Sequence, residues 1–130
     1  MDSATYKVSV LVMEAEDIPG EWVSHCLDFD LISQGLSPTD ALDAIREAIV
    51  MVLEDDLANG LDPLERPRAP ERDWVIFNSV LERGHPIEDM AEHGPIGILV
   101  AEMQFQVQRQ LGALRVRECA APDRIRTRAA

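Results

Sequence analysis

The chain has 130 residues, 46% of them hydrophobic and 28% charged, with a formal net charge of −12. This length holds one domain with a real core, and acidity of this size repels nucleic-acid phosphates and attracts a basic partner. No run of about 18 apolar residues marks a membrane span, and Met1-Asp2-Ser3-Ala4-Thr5 lacks the basic-then-apolar order of a signal peptide. Cys26 and Cys119 stand far apart with no CxxC partner, which is the usage of a reducing cytoplasm.

Residues 6–13 (Tyr-Lys-Val-Ser-Val-Leu-Val-Met) alternate, with Tyr6, Val8, Val10 and Val12 on one face; this predicts a strand. Asp17, Pro19 and Gly20 are turn chemistry. Residues 21–28 predict a second strand, with Val23, His25 and Leu27 facing one way and Trp22, Ser24 and Cys26 the other. The short connection makes the two an antiparallel hairpin. Residues 31–34 predict a short third strand, closed by Gly35.

A long helix follows. Ser37 is placed to cap it, Pro38 takes its first position, and Asp40 sits three residues after the cap. Ala41, Leu42, Ile45, Ala48, Ile49, Val52, Leu53 and Leu57 recur at helical spacing. Asn59-Gly60 and then Pro63 stop it. Residues 64–70 read as a loop. The apolar run 74–81 is open between buried strand and short helix, because periodicity cannot settle so short a segment. Residues 86–92 suggest one or two helical turns. Residues 98–108 predict a strand with Leu99, Ala101, Met103, Phe105 and Val107 buried and Glu102, Gln104, Gln106 and Gln108 wet.

The order β-β-β-α-insert-β implies an α+β layer: a small, mostly antiparallel sheet with one long helix on one face. Residues 1–110 form a single domain, with an insert at about 61–95. The first 62 residues hold 14 acids against Lys7 and Arg46 alone, so they carry the whole net charge. Residues 111–130 form a basic, loosely ordered tail that ends in Arg124-Ile125-Arg126-Thr127-Arg128. That tail is the one part suited to touch nucleic acid.

The stretch Trp22-Val23-Ser24-His25-Cys26-Leu27-Asp28-Phe29-Asp30-Leu31-Ile32-Ser33-Gln34-Gly35, running into Ser37-Pro38-Thr39-Asp40-Ala41-Leu42, resembles the HicB-like family. The Ser-Gln-Gly step and the Ala-Leu step carry most of the likeness, which covers about residues 6–57. The resemblance implies a trimmed RNase H-like fold of three strands, a helix and a further strand. It also implies a role shared with antitoxins that neutralise small RNA-cleaving HicA toxins by covering the catalytic face. From residue 61 on the chain departs from the family, and 110–130 show no ribbon-helix-helix or helix-turn-helix.

The chemistry-bearing residues point away from catalysis. RNase H-type cleavage needs several carboxylates converging on two metals, but the first strand has no acid before Glu14. Asp28 and Asp30, spaced by two, would share one side of an extended segment, and two carboxylates make a weak metal site. His25 and Cys26 are neighbours on a strand and face opposite ways, so they form no nucleophile–base dyad. If 86–93 is helical, Asp89 and His93 meet at i,i+4, short of the three or four ligands zinc requires. No Gly-rich phosphate loop or GxSxG elbow is present.

The expectation is a non-enzymatic interaction protein with no cofactor and no metal. Its partner would be a basic, HicA-like toxin, held through Glu14, Glu16, Asp17, Asp28 and Asp30 at the strand ends. The rival expectation is an orphan HicB-like scaffold or adaptor that pairs with itself as a homo-oligomer.

Overall fold

The structure, a computed structural model, describes residues 2–87, 97–119 and 124–128. In chain order its elements are β1 (Asp2–Glu14), β2 (Trp22–Cys26), β3 (Leu31–Gly35), α1 (Pro38–Ala58), a 3-10 turn (Pro63–Glu65), α2 (Glu71–Arg83), β4 (His85–Pro86), β5 (Ile98–Gln110), β6 (Ala113–Glu118) and β7 (Arg124–Arg128). The class is α+β. Among the described residues seven strands make one sheet in the order β3-β2-β1-β5-β7-β4, with β6 also on β5. Every pairing among them is antiparallel. No helix among them is long and apolar enough to cross a membrane.

The sheet is built on β1 and β5, the two longest alternating segments. They pair without a break from Asp2↔Arg109 to Met13↔Ile98. β2 then covers only the Val10–Glu14 part of the far edge of β1. On the far edge of β5, β7 takes Ile98–Glu102 and β6 takes Phe105–Gln110.

The main helix forms where its caps place it. The Ser37 hydroxyl accepts the Asp40 N–H at 3.0 Å, and Gly60 stops the helix at φ 72. Its apolar stripe (Ala41, Leu42, Ile45, Ile49, Leu53) packs on Val8, Val10, Val12, Cys26, Leu99, Ala101, Met103 and Phe105 to make the larger core. Gly35 ends β3 directly against the first turn of α1; a Cβ there would lie 2.6 Å from the Ala41 nitrogen.

Three features resolve or correct the reading of the sequence. The ambiguous 74–81 run is the helix α2. Its acids Glu71 and Asp73 sit in the first turn and Arg83 in the last, which suits the helix dipole. Trp74, Phe77, Val80 and Leu81 then fall on one stripe, and a second core forms from Leu11, Leu27, Ala69, Phe77, Val80 and Val100. The sheet therefore carries a helix on each face, and the second face of β5 is wet only beyond Glu102; Val100 is fully buried. Finally, the Arg-rich stretch expected as a loose tail supplies β6 and β7. Both are paid for by pairing with β5, whose exposed main-chain groups need partners.

Pro86 lies in β4, paired with Arg126, and the Ile87 N–H donates to the Ile125 carbonyl at 2.9 Å, so the expected helix over 86–92 does not begin there; residues 88–92 fall outside the described residues.

Two substitutions should move stability differently. Gly35→Ala forces β3 and α1 apart and should cost about 1–3 kcal/mol in urea unfolding. Ser24 is fully buried and its hydroxyl has no hydrogen-bond partner among the described residues. Ser24→Ala should therefore be neutral or stabilising by up to about 1 kcal/mol in the same measurement.

Candidate functional site

The five acids singled out by sequence occupy two different settings. Glu14 closes the β1 ladder opposite Trp22, and the turn after it is held by Ala15 N–H donating to the Glu21 carbonyl at 2.8 Å and by Gly20 at φ 81. Glu14, Glu16 and Asp17 stand exposed on this tip beside Ile18, itself 51% exposed.

Asp28 and Asp30 are not on an extended segment. Residues 27–30 form a turn, and Asp30 has φ 52, so the two carboxylates go to separate internal bonds. Asp28 Oδ1 accepts the Ser9 N–H at 2.6 Å and so satisfies the β1 edge where β2 has ended. Burial pushes the Asp28 carboxyl up, against the Ser9 N–H and the charge of Arg68, which pull it down. Asp30 Oδ1 lies 2.6 Å from His25 Nε2.

His25 itself is mostly buried, with Asp73 of α2 4.0 Å from its Nδ1. It faces the second core while Cys26 faces the first. Cys26 is fully buried, and desolvation pushes its thiol up to about 12. A protonated thiol on the opposite face from the imidazole cannot act as a nucleophile. Among the described residues no three of His, Cys, Asp and Glu gather closely enough to hold a metal ion. His85 is exposed in β4; His93 and its acidic neighbours lie outside the described residues.

The structure assembles a larger acidic surface that the sequence reading passed over. Along α1, Asp40, Asp43, Glu47, Met51, Glu54 and Asp55 are all exposed. They recur in steps of about three to four residues, so they form one outward stripe along the helix. The signal was in the sequence as the complement of the apolar stripe, but a polar helix face is ordinarily solvated and carries no message by itself. Asp56 leaves the stripe and turns inward. It is 3% exposed and takes a forked bond from Arg66, 2.7 Å from Nε to Oδ2 and 2.9 Å from Nη2 to Oδ1. That bond holds its carboxyl below the usual range.

An apolar groove of about 430 Å³ runs beside the stripe, lined by Arg46, Glu47, Val50, Met51, Phe105 and Glu118. Met51 is 68% exposed. Arg46 bridges the groove's floor, its Nε 2.9 Å from Glu118 Oε1 on β6 and its Nη1 3.1 Å from Asp43 Oδ1. The arrangement offers a basic amphipathic element both charge and an apolar seat. Among the described residues its lining holds no histidine, cysteine or serine.

Comparison of the chain with family models, with curated proteins and with solved structures gives no match.

The Asp56–Arg66 pair should give stability a specific pH signature. Because the folded carboxyl is depressed below its ordinary 3.8, its contribution is present above that pH and disappears as pH falls through the folded value. Asp56→Asn should cost about 1.5–3 kcal/mol at neutral pH, and the gap from the parent protein should close in acid, as read from urea unfolding at stepped pH.

Proposed function

We propose that this chain is a non-enzymatic, HicB-like interaction domain that neutralises a small basic RNA-cleaving toxin by covering it. The observation that carries the reading is the α1 stripe of five exposed carboxylates around Met51, with the apolar groove at its side. An RNA-cleaving protein is basic where it holds RNA, so such a stripe steers it in and competes with the phosphates. The groove supplies the dehydrated contact that charge alone lacks, since exposed ion pairs are each worth about 0–1 kcal/mol.

The exposed tip of Glu14, Glu16 and Asp17 extends the same negative field. Asp28 and Asp30 contribute less in this reading, because both already hold internal partners. The likeness of residues 6–57 to HicB-like proteins supports the choice of partner class. The mode of action needs no cofactor. The orphan-scaffold reading has one observation in its favour: among the described residues β1 has no strand partner on its β2 side along residues 2–8, which leaves a sheet edge for a second copy.

The test is binding to a basic HicA-like partner, followed by calorimetry across ionic strength. Affinity should fall at least about tenfold between low salt and 0.5 M, where the screening length drops to a few ångströms. Asp43→Asn, Glu47→Gln, Glu54→Gln and Asp55→Asn together should slow association by about tenfold or more at low salt, whereas Met51→Ser should speed dissociation. Salt-independent binding would sink the reading, as would turnover of RNA by the purified chain.

A further inference from the structure

The face of the sheet opposite α1 has a charge of the other sign. Residues directly across antiparallel strands share a face, so the registers define its rows. Lys7 lies across from Gln104, Thr5 from Gln106 and Ser3 from Gln108. On the other side of β5, Arg117 lies across from Gln106 and Arg115 from Gln108. Further along, Arg126 lies across from Val100 and Arg128 from Ile98, beside α2.

Beyond the reach of α2 no element among the described residues covers this face. Ser3, Thr5, Lys7, Gln104, Arg115 and Arg117 are exposed. Among the described residues no carboxylate pairs with Lys7, Arg115 or Arg117; Arg117 Nη2 instead lies 3.2 Å from Gln106 Oε1. Among the described residues two carboxylates border its open part, half-buried Glu102 and Asp28, the latter tied to Ser9. Alternate residues on a strand advance about 6.8 Å, so arginines and glutamines form parallel columns rather than a pocket for one small anion.

The β5–β6 turn adds an apolar element. Leu111 is 99% exposed and sits at φ 52, a conformation that disfavours leucine. A concavity of about 430 Å³ opens beneath it, lined by Gln108, Gln110, Leu111, Ala113 and Arg115. A strained, fully exposed leucine next to a row of unpaired cations is a poor arrangement for folding alone.

We infer that this face binds single-stranded nucleic acid, with phosphates along the arginine column, base edges over the glutamines, and Leu111 against an unstacked base. Arginine forks suit phosphate oxygens. Glutamine amides present a donor and an acceptor together, which read base edges only where those edges are not already paired. The net charge of −12 opposes this, but distance and salt weaken its effect at this face. The α1 carboxylates lie across the sheet, beyond a helix about 10–12 Å thick, while charge is screened over roughly 8 Å at physiological ionic strength. The other occupant with the right sign is the α1 stripe of a second copy. The Met51 at that stripe's centre would meet mostly polar side chains here, with Leu111 only at the margin, and such head-to-tail contact builds rings or open filaments rather than a two-fold pair.

The experiment is fluorescence anisotropy with labelled 15-nucleotide RNA, DNA and duplex probes on the full chain, at stepped salt. Single strands should bind more tightly than the duplex. Lys7→Gln, Arg115→Gln and Arg117→Gln together should weaken single-strand binding by about tenfold or more and lower the log–log salt slope by about 2. Leu111→Asn should raise the unfolding temperature, because asparagine tolerates the left-handed conformation, and yet weaken binding. An unchanged affinity in the triple variant overturns the inference, as does tighter binding to the duplex. Self-association of the parent chain without nucleic acid, abolished in the triple variant, would assign the face to a second copy and overturn it equally.

Discussion

The twelve backbone pairs that join β1 to β5 decide which face every side chain of both strands takes. A slip of one residue would exchange the two faces entirely, and the pattern forbids it. Val8, Val10, Val12, Ala101, Met103 and Phe105 must meet α1, and Leu11 with Val100 must meet α2. Because the second set is short, α2 covers only one end of its face. The remainder of that face is polar, and the molecule acquires two chemically opposite sides from a single register.

Much of this frame was readable in advance, where one local signal was strong enough. The Ser37 cap, the Asn59-Gly60 stop and the stripe between them define α1 without help from the rest of the chain. The hairpin of β1 and β2 follows from alternation around a Pro-Gly turn. The apolar run at 74–81 was not readable, since eight residues hold barely two helical turns and its meaning depends on the patch formed by Leu11, Leu27 and Val100. The arginine-rich end was misread for a related reason. Its residues alternate as Arg-Ile-Arg-Thr-Arg, which is a half-buried strand once β5 offers an edge and a solvated tail until then.

The candidate surfaces were less legible than the fold. Counting charge showed that the first 62 residues are acidic, but counting cannot separate Asp56, folded inward onto Arg66, from Asp55, its exposed neighbour. Asp28 and Asp30 looked like a pair because strand geometry was assumed. The turn at 27–30 gives one to Ser9 and the other to His25. Side-chain type announces what a residue is able to do, while the backbone around it decides whether it is still free to do so.

The split edge of β5 has a bearing on how the chain is born. β5 is synthesised some ninety residues after β1, and half of its outer margin stays bare until Arg124–Arg128 follow. Contacts so distant in sequence form slowly and leave adhesive strands uncovered meanwhile. A nascent chain of this design is vulnerable for as long as β7 is still missing, and Arg124–Arg128 act as the clasp.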